Sequence, residues 1–145
     1  MDQIDEQILD LLRGDARMPT SDIARRVGLS AAPVGRRIAR MEADGVIRGY
    51  TAIIDETAAE GLEAFTEVRL TGATDTHEIE DIVRTLPEVQ QFFTISGDPD
   101  ALLRMRVRNV DHLQRVVNEL RRTGLVAGTK TLIVMSTWDR ATDRS

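Results

Sequence analysis

The sequence has no cysteine, only two histidines and no long hydrophobic run. Without cysteine there is no disulfide, thiol nucleophile or zinc-thiolate site, and two distant histidines argue against an all-protein metal site. We therefore expect no metal and no cofactor. The apolar runs are far shorter than the roughly 20 residues that cross a bilayer, and the N-terminus lacks a secretion signal. These features predict a cytoplasmic protein with no membrane partner.

Catalytic motifs are missing as well. The sequence holds neither a GxxxxGK[ST] loop nor a GxGxxG loop, and no motif places a histidine beside its serines or carboxylates. We therefore predict that the protein is not an enzyme. Its 145 residues are 41% hydrophobic, which is enough to form one ordinary domain or two small ones.

The net charge of −5 is distributed unevenly along the chain. Residues 1–54 carry eight arginines and eight acidic residues, whereas residues 55–145 carry eleven basic and sixteen acidic residues. Within the first part, residues 17–48 hold seven arginines against three acidic residues, a local charge of +4. The first part therefore has a basic surface, and the second does not.

The spacing of apolar residues predicts three helices in the first 45 residues. The first helix has an acidic start and ends at Gly14. The second, SDIARRV, is predicted to be capped by Thr20 or Ser21 and to end at Gly28.

The third helix is predicted to begin after Ser30 as its cap. Its inward stripe consists of Val34, Ile38 and Met41. Pro33 is tolerated in the first turn, where a backbone N–H would have no intrahelical partner.

The second and third helices, separated by a turn of about four residues, form a helix-turn-helix pattern. The first turn of such a second helix can enter the major groove, where small residues permit close approach and arginines reach phosphates or guanine edges. The alternative is that Arg36, Arg37 and Arg40 only solvate a surface helix. The combination of cap, turn glycine, apolar stripe and local positive charge favours DNA binding.

Beyond residue 62 the apolar spacing predicts the order β-α-β-β-α-β. Strands are predicted at 64–71, 89–96, 101–108 and 128–138, with a tight turn at 97–100. This order is the split βαβ of ferredoxin-like folds. The predicted fold class is α+β, with a helix-turn-helix domain at 1–54, a βαββαβ domain at 62–145 and a boundary near 55–62. Before the boundary, Ile47, Tyr50, Ile53 and Ile54 indicate a short strand or hinge.

A sheet with helices on one face leaves its other face without a cover. Self-association of that face is the simplest way to bury it, and it adds stability to two small domains. We therefore expect a homo-oligomer, a dimer at least.

Five motifs occur in order along the chain and must be taken together. They are D-x-x-D-x-x-I-L-x-x-L (2–12), D-A-R (15–17), L-S-x-x-P-V-x-x-R-I-x-R-M-E-x-x-G-V-I (29–47), G-Y-x-A-x-I-D (49–55) and S-G-x-x-D (96–100). This joint pattern resembles the Lrp/AsnC (leucine-responsive, feast/famine) transcriptional regulators of bacteria and archaea. The resemblance implies an N-terminal winged helix-turn-helix domain, a hinge strand, and a βαββαβ effector and oligomerisation domain. It also implies binding of double-stranded DNA and of a small effector, usually an amino acid, by dimers that often form octamers.

The resemblance places eight residues on the DNA-recognition helix: Ser30, Ala31, Ala32, Pro33, Gly35, Arg36, Arg37 and Arg40. Arg37 adjoins the buried stripe, so its alternative role is an ion pair with an acidic residue of the first helix.

The resemblance places the effector pocket, between dimers, at the turn of Ser96, Gly97, Asp98, Pro99 and Asp100. Turn N–H groups suit a carboxylate, and Asp98 or Asp100 suits an ammonium group. The alternative is that GDPD is simply a good β-turn. Many relatives have an aromatic residue where this chain has Pro99. Two further polar contacts are predicted from a neighbouring subunit, at Thr129 and Thr131.

Two other functions use the same scaffold. A nucleoid-architectural protein would wrap DNA without sequence specificity, but the net charge of −5 favours site-specific binding. Siroheme decarboxylases also resemble this family, and they need histidines and aromatic residues around a tetrapyrrole. This chain has few of either, and His77 and His112 are expected to be surface residues.

Overall fold

The computed structural model of the chain describes residues 1–54 and 60–139. These residues form two compact units. The first contains Met1–Ile54 together with Trp138 and Asp139, and the second contains residues 60–137. The predicted boundary at 55–62 falls mostly on residues 55–59, which lie outside the described residues. The domain limits 1–54 and 62–145 stay predictions.

The first unit is built from three helices, α1 (Gln3–Gly14), α2 (Thr20–Val27) and α3 (Ala31–Ala43). Their inward apolar stripes meet in one small core. Its buried members are Ile8, Ile23, Ala24, Val34 and Met41. The three helices predicted from apolar spacing are therefore confirmed.

The helix termini in this unit follow from local chemistry. At α1, the Asp2 carboxylate accepts the Asp5 N–H and the Asp5 carboxylate accepts the Asp2 N–H, which is a capping box. Helix α2 ends at Gly28, whose φ of 72° is readily adopted only by a residue without a side chain.

The caps of α2 and α3 differ from the prediction. The prediction that Thr20 or Ser21 caps α2 was wrong, because Pro19 holds the cap position with φ of −58° and Thr20 is already helical. Ser30 does hold the cap position of α3, but its side chain makes no capping hydrogen bond.

The segment that follows α3 forms no strand between residues 44 and 54 of the described chain. The strand alternative for Ile47, Tyr50, Ile53 and Ile54 is therefore not observed. A strand requires a neighbouring strand for its hydrogen bonds, and within the described chain no strand pairs with this segment. Tyr50, Ile53 and Ile54 are exposed.

The second unit is a four-stranded antiparallel sheet with two helices. Its elements are β1 (Leu62–Leu70), α4 (Thr76–Val83), β2 (Val89–Thr94), β3 (Ala101–Val107), α5 (Val110–Arg122) and β4 (Val126–Ile133). The strand order is β2-β3-β1-β4. The predicted βαββαβ order is confirmed, although the last strand begins two residues earlier and ends five residues earlier than 128–138.

Successive side chains along each strand lie on opposite faces of this sheet, and the two faces differ in burial. On one face Ala64, Val68, Leu103 and Met105 are fully buried against α4 and α5. The opposite face carries no helix among the described residues of this unit. Four apolar side chains on that open face are only partly covered: Phe65, Phe93, Leu102 and Leu132.

Candidate nucleic-acid interface and effector turn

The first turn of α3 presents small, exposed residues. Ser30, Ala31 and Ala32 are exposed, while Pro33 is half-buried. No described side chain caps this turn and no acidic residue lies in it, so its backbone N–H groups are open to an anion. Gly35 faces α2 instead, because a Cβ there would lie 4.0 Å from Thr20 Cγ2.

Arg37 is held inside the first unit. Its Nη1 lies 2.7 Å from Asp2 Oδ2 and 2.8 Å from Asp5 Oδ1, and only 25% of its side chain is exposed. The predicted alternative, an ion pair with an acidic residue of the first helix, is confirmed. This contact ties α3 to the start of α1.

Arg40 shares the same buried carboxylate. Its Nη2 lies 2.7 Å from Asp5 Oδ2, although 54% of its side chain remains exposed. The pKa of the Asp5 carboxyl lies below its ordinary value of 3.8, first because the Asp2 N–H donates to it and then because Arg37 does. Asp5 therefore stays ionised and binds one arginine on each oxygen.

Arg36 differs from its two neighbours on α3. It is exposed, and its side chain has no hydrogen bond or ion pair among the described residues. Arg37 and Arg40 already occupy the Asp5 carboxylate, so Arg36 is the arginine of this helix whose charge is fully available to a partner.

Three further arginines of the first unit are exposed and lack a side-chain partner in the part of the chain that the structure describes: Arg17, Arg26 and Arg48. By contrast, Arg13 pairs with Asp10 and Arg25 pairs with Asp22. The local charge of +4 over residues 17–48 includes all of these arginines except Arg13, and the sequence alone does not separate paired from unpaired ones. The available positive charge therefore lies on Arg36 and these three residues.

The turn predicted as the effector site lies between β2 and β3. Asp98 pairs with Arg69 of β1, with 2.7 Å between Arg69 Nε and Asp98 Oδ1. Ser96 and Gly97 are exposed, and the N–H groups of Ser96, Gly97 and Asp98 have no acceptor among the described residues.

Asp100 has a structural role in that turn. Its Oδ2 accepts the Leu70 N–H at 2.7 Å, and its own N–H donates to the Val68 carbonyl at 3.1 Å. Its carbonyl accepts the Ile95 N–H at 2.9 Å. These bonds fasten the turn to the irregular end of β1, where the pairing of β1 with β4 shifts between Arg69 and Leu70.

Thr129 and Thr131 lie on the face of the sheet that the helices cover. Thr129 is opposite Val68, at the end of the sheet where the turn attaches. Thr131 Oγ1 lies 2.9 Å from the buried Thr66 Oγ1, so its hydroxyl is bonded within its own chain.

The two histidines differ in exposure. His77 is 85% exposed, as expected, whereas His112 is only 16% exposed and its Nε2 lies 2.8 Å from Glu88 Oε1. The surface position predicted for His112 was wrong, because the residue lies in the first turn of α5 and joins that helix to the residue before β2. Residues 1–54 and 60–139 contain no cluster of side chains able to hold a metal ion, and none of their helices could span a membrane.

The sequence matches two family models. Residues 1–42 match the AsnC-type helix-turn-helix domain, and residues 63–143 match the Lrp/AsnC ligand-binding domain. The leucine-responsive regulatory proteins of Klebsiella pneumoniae and Escherichia coli K12 are each 37% identical over 139 residues, which cover 93% of this chain and 85% of theirs.

Solved structures are also similar. An AsnC family transcriptional regulator from Agrobacterium tumefaciens has a TM-score of 0.83 at 30% identity, covering 100% of this chain and 97% of its own. A transcriptional regulator from Neisseria meningitidis, in complex with L-Met, has a TM-score of 0.86 at 28% identity. The match covers 100% of this chain and 96% of that regulator's chain. The chain belongs to the Lrp/AsnC family of transcriptional regulators, with an AsnC-type helix-turn-helix domain followed by an Lrp/AsnC ligand-binding domain.

Proposed function

We propose that this regulator binds specific DNA sites by placing the first turn of α3 in the major groove, with Arg36 as its principal cationic contact. The observation that carries the proposal is that the Arg36 side chain is exposed and unpaired among the described residues, beside a helix start of small residues whose cap residue, Ser30, makes no side-chain capping hydrogen bond. Small residues let the helix approach the base edges, and Arg36 can reach a phosphate or a guanine.

Arg37 and Arg40 have different roles in this proposal. Arg37 positions α3 against α1 through Asp2 and Asp5, and Arg40 divides its charge between Asp5 and the DNA backbone. The exposed arginines Arg17, Arg26 and Arg48 supply the sequence-independent attraction to DNA.

We also propose that the turn at 96–100 binds a free amino acid that modulates DNA binding. The similar protein from Neisseria meningitidis was solved with L-Met, which supports an amino acid as the ligand class for this chain. The unpaired N–H groups of the turn and the exposed Asp98 carboxylate offer complementary contacts to such a ligand.

Self-association completes the proposed function. The open face of the sheet presents four partly covered apolar side chains, Phe65, Phe93, Leu102 and Leu132, and a second copy of the same face would bury them. We propose a dimer that assembles further to an octamer, acts in the cytoplasm where its DNA is, and has no catalytic activity.

The test of the DNA interface is a gel-shift titration with DNA from upstream of the protein's own gene and excess competitor DNA. Arg36→Ala is expected to weaken specific binding by about tenfold or more. Arg13→Ala is the matched control, since it removes one positive charge from the same unit at an exposed pair outside α3. Equal binding by Arg36→Ala and the parent would contradict the assignment. Binding without a preference for the site would favour an architectural protein.

A further inference from the structure

The segment that follows α3 returns to the end of that helix and is fastened to it at two places. Val46 and Ile47 both donate their N–H groups to the Met41 carbonyl, at 2.9 and 3.0 Å, and the Ile47 side chain packs against the core of the first unit. Farther along, the Tyr50 hydroxyl donates to Glu42 Oε1 at 2.7 Å. The segment is therefore held beside the last turn of α3 at both of its ends.

Arg48 lies between these two attachments. It is exposed, and its side chain has no hydrogen bond or ion pair in the part of the chain that the structure describes. Ile47 fixes the backbone on one side of it, and Tyr50 fixes the backbone on the other. The cation is therefore held close to the C-terminal end of α3, with its charge available to a partner.

The attachment at Tyr50 restricts a backbone that would otherwise be free. Gly49 has φ of 156°, and glycine loses more conformational freedom on ordering than any other residue. Without the bond from Tyr50 to Glu42, this segment would have to be ordered when Arg48 meets its partner, which weakens binding. Both side chains of the bond are exposed, so water can replace it and its contribution to the unfolding free energy is small. The bond orders the segment more than it stabilises the fold.

The length of α3 places this cation outside the base edges. The helix has 13 residues and is about 20 Å long, whereas the major groove is about 12 Å wide and about 8.5 Å deep. When the first turn of α3 enters the groove, the last turn is left near the mouth of the groove, where the phosphates are. A cation at that end of the helix therefore meets a phosphate and not a base.

We propose that Arg48 binds a phosphate beside the groove that α3 enters, and that Tyr50 positions Arg48 through its hydrogen bond to Glu42. This inference rests on the proposed DNA interface of α3, and it gives Arg48 a defined contact within the sequence-independent attraction. Phosphate contacts of this kind set the register of a protein on DNA. Tyr50 itself touches no DNA and acts only through Arg48.

The experiment is a double-variant cycle on the operator DNA of the gel-shift test, read by fluorescence anisotropy over a range of salt concentrations. Arg48→Ala is expected to weaken binding by about threefold or more and to reduce the slope of log Kd against log salt concentration by about one. Tyr50→Phe, which removes only the hydroxyl, is expected to weaken binding by about threefold. In the Arg48→Ala protein the same change is expected to have no effect, because Tyr50 acts through Arg48.

Three control variants test charge, acceptor and position separately. Arg48→Lys keeps the charge and should keep the salt slope. Glu42→Gln keeps an acceptor for the Tyr50 hydroxyl and should bind DNA no more weakly than the parent protein. Arg84→Ala removes an exposed, ion-paired arginine of α4 and should leave the slope unchanged. Melting temperatures equal to that of the parent protein show that the variants are folded.

Two results would overturn this inference and leave the DNA interface of α3 intact. The first is an Arg48→Ala protein with the affinity and slope of the parent, while Arg36→Ala loses affinity. The second is a loss for Tyr50→Phe that is equally large with and without Arg48, which would make Tyr50 a structural residue. If the parent protein does not prefer the operator to competitor DNA, the proposed interface fails, and this inference fails with it.

Discussion

Each unit of this protein has arginine–aspartate pairs at the segment assigned to function, and burial makes the two sets different. In the first unit, the Asp5 side chain is 1% exposed and binds Arg37 and Arg40. In the second, Asp98 is 72% exposed and, among the described residues, its side chain binds only Arg69. A buried carboxylate that loses its partners pays a desolvation cost, whereas an exposed one is resolvated by water. The first set therefore holds a helix in place, whereas the second contributes little to the stability of its unit.

Removing the buried carboxylate should have the largest effect. Asp5→Ala leaves the half-buried Arg37 with Asp2 as its one acidic partner among the described residues, and it weakens the contact between α3 and the start of α1. We expect the melting temperature of the first unit to fall by at least about 4 °C in far-UV circular dichroism. Asp10→Ala, which breaks the exposed pair with Arg13, is the control and should change it little. If the two variants lowered the melting temperature equally, burial would not distinguish the Asp5 pairs from the exposed Asp10 pair.

The next largest effect should come from low pH, which weakens the same contact. Hydrogen bonds from the Asp5 and Asp2 N–H groups, followed by Arg37, lower the pKa of Asp2 and Asp5 below their ordinary value of 3.8. Because the pKa values of Asp2 and Asp5 are lowered in the folded state, the stability that their contacts contribute is fully present above pH 3.8, the ordinary pKa. It is lost as the pH falls through the lowered pKa values. Urea unfolding between about pH 7 and about pH 3 should show this loss in the parent protein. In a double variant, Asp2→Asn with Asp5→Asn, the loss should be smaller. An unchanged acid profile in that variant would contradict the assignment.

A smaller effect should separate the two acidic residues of the turn. Asp100→Ala leaves the Leu70 N–H without its acceptor and should cost about 1 kcal/mol of unfolding free energy. Asp98→Ala breaks only an exposed pair and should leave the urea midpoint unchanged. If Asp98→Ala were the more destabilising of the two, its pair would be structural and not available to a ligand.

The smallest effect in this series concerns Arg40. Asp5 neutralises part of its charge, so Arg40→Ala should weaken operator binding by less than about tenfold, and by less than Arg36→Ala does. Fluorescence anisotropy with labelled operator DNA measures the affinity of each variant. A greater loss for Arg40→Ala, with its melting temperature unchanged, would make Arg40 the principal contact instead.

The elements of both units were predictable because their apolar periodicity is local. The stripe of Val34, Ile38 and Met41 identified α3, and the alternation of Leu103, Met105 and Val107 identified β3. The segment at 46–54 was less predictable, because its apolar residues suit a strand while the described chain offers it no strand partner.

The charged contacts were much harder to predict from the sequence. Arg40 and Asp5 are 35 residues apart, and Arg69 and Asp98 are 29 residues apart. No local spacing relates such positions, so the sequence assigned Arg40 to DNA and did not identify Arg69 at all. Arg37 was anticipated in part, since its place beside the buried stripe indicated an ion pair. Long-range pairing of charged side chains depends on how the elements pack, which periodicity does not specify.

We propose that Arg36 contacts DNA while the arginines bound to Asp5 mainly hold the helix in place. The most direct test is the salt dependence of operator binding, because each cation that neutralises a phosphate adds about one to the slope of log Kd against log salt concentration. We predict that Arg36→Ala reduces this slope by about one and that Arg13→Ala leaves it unchanged. A slope and an affinity for Arg36→Ala that both equal those of the parent protein would show that Arg36 does not contact DNA.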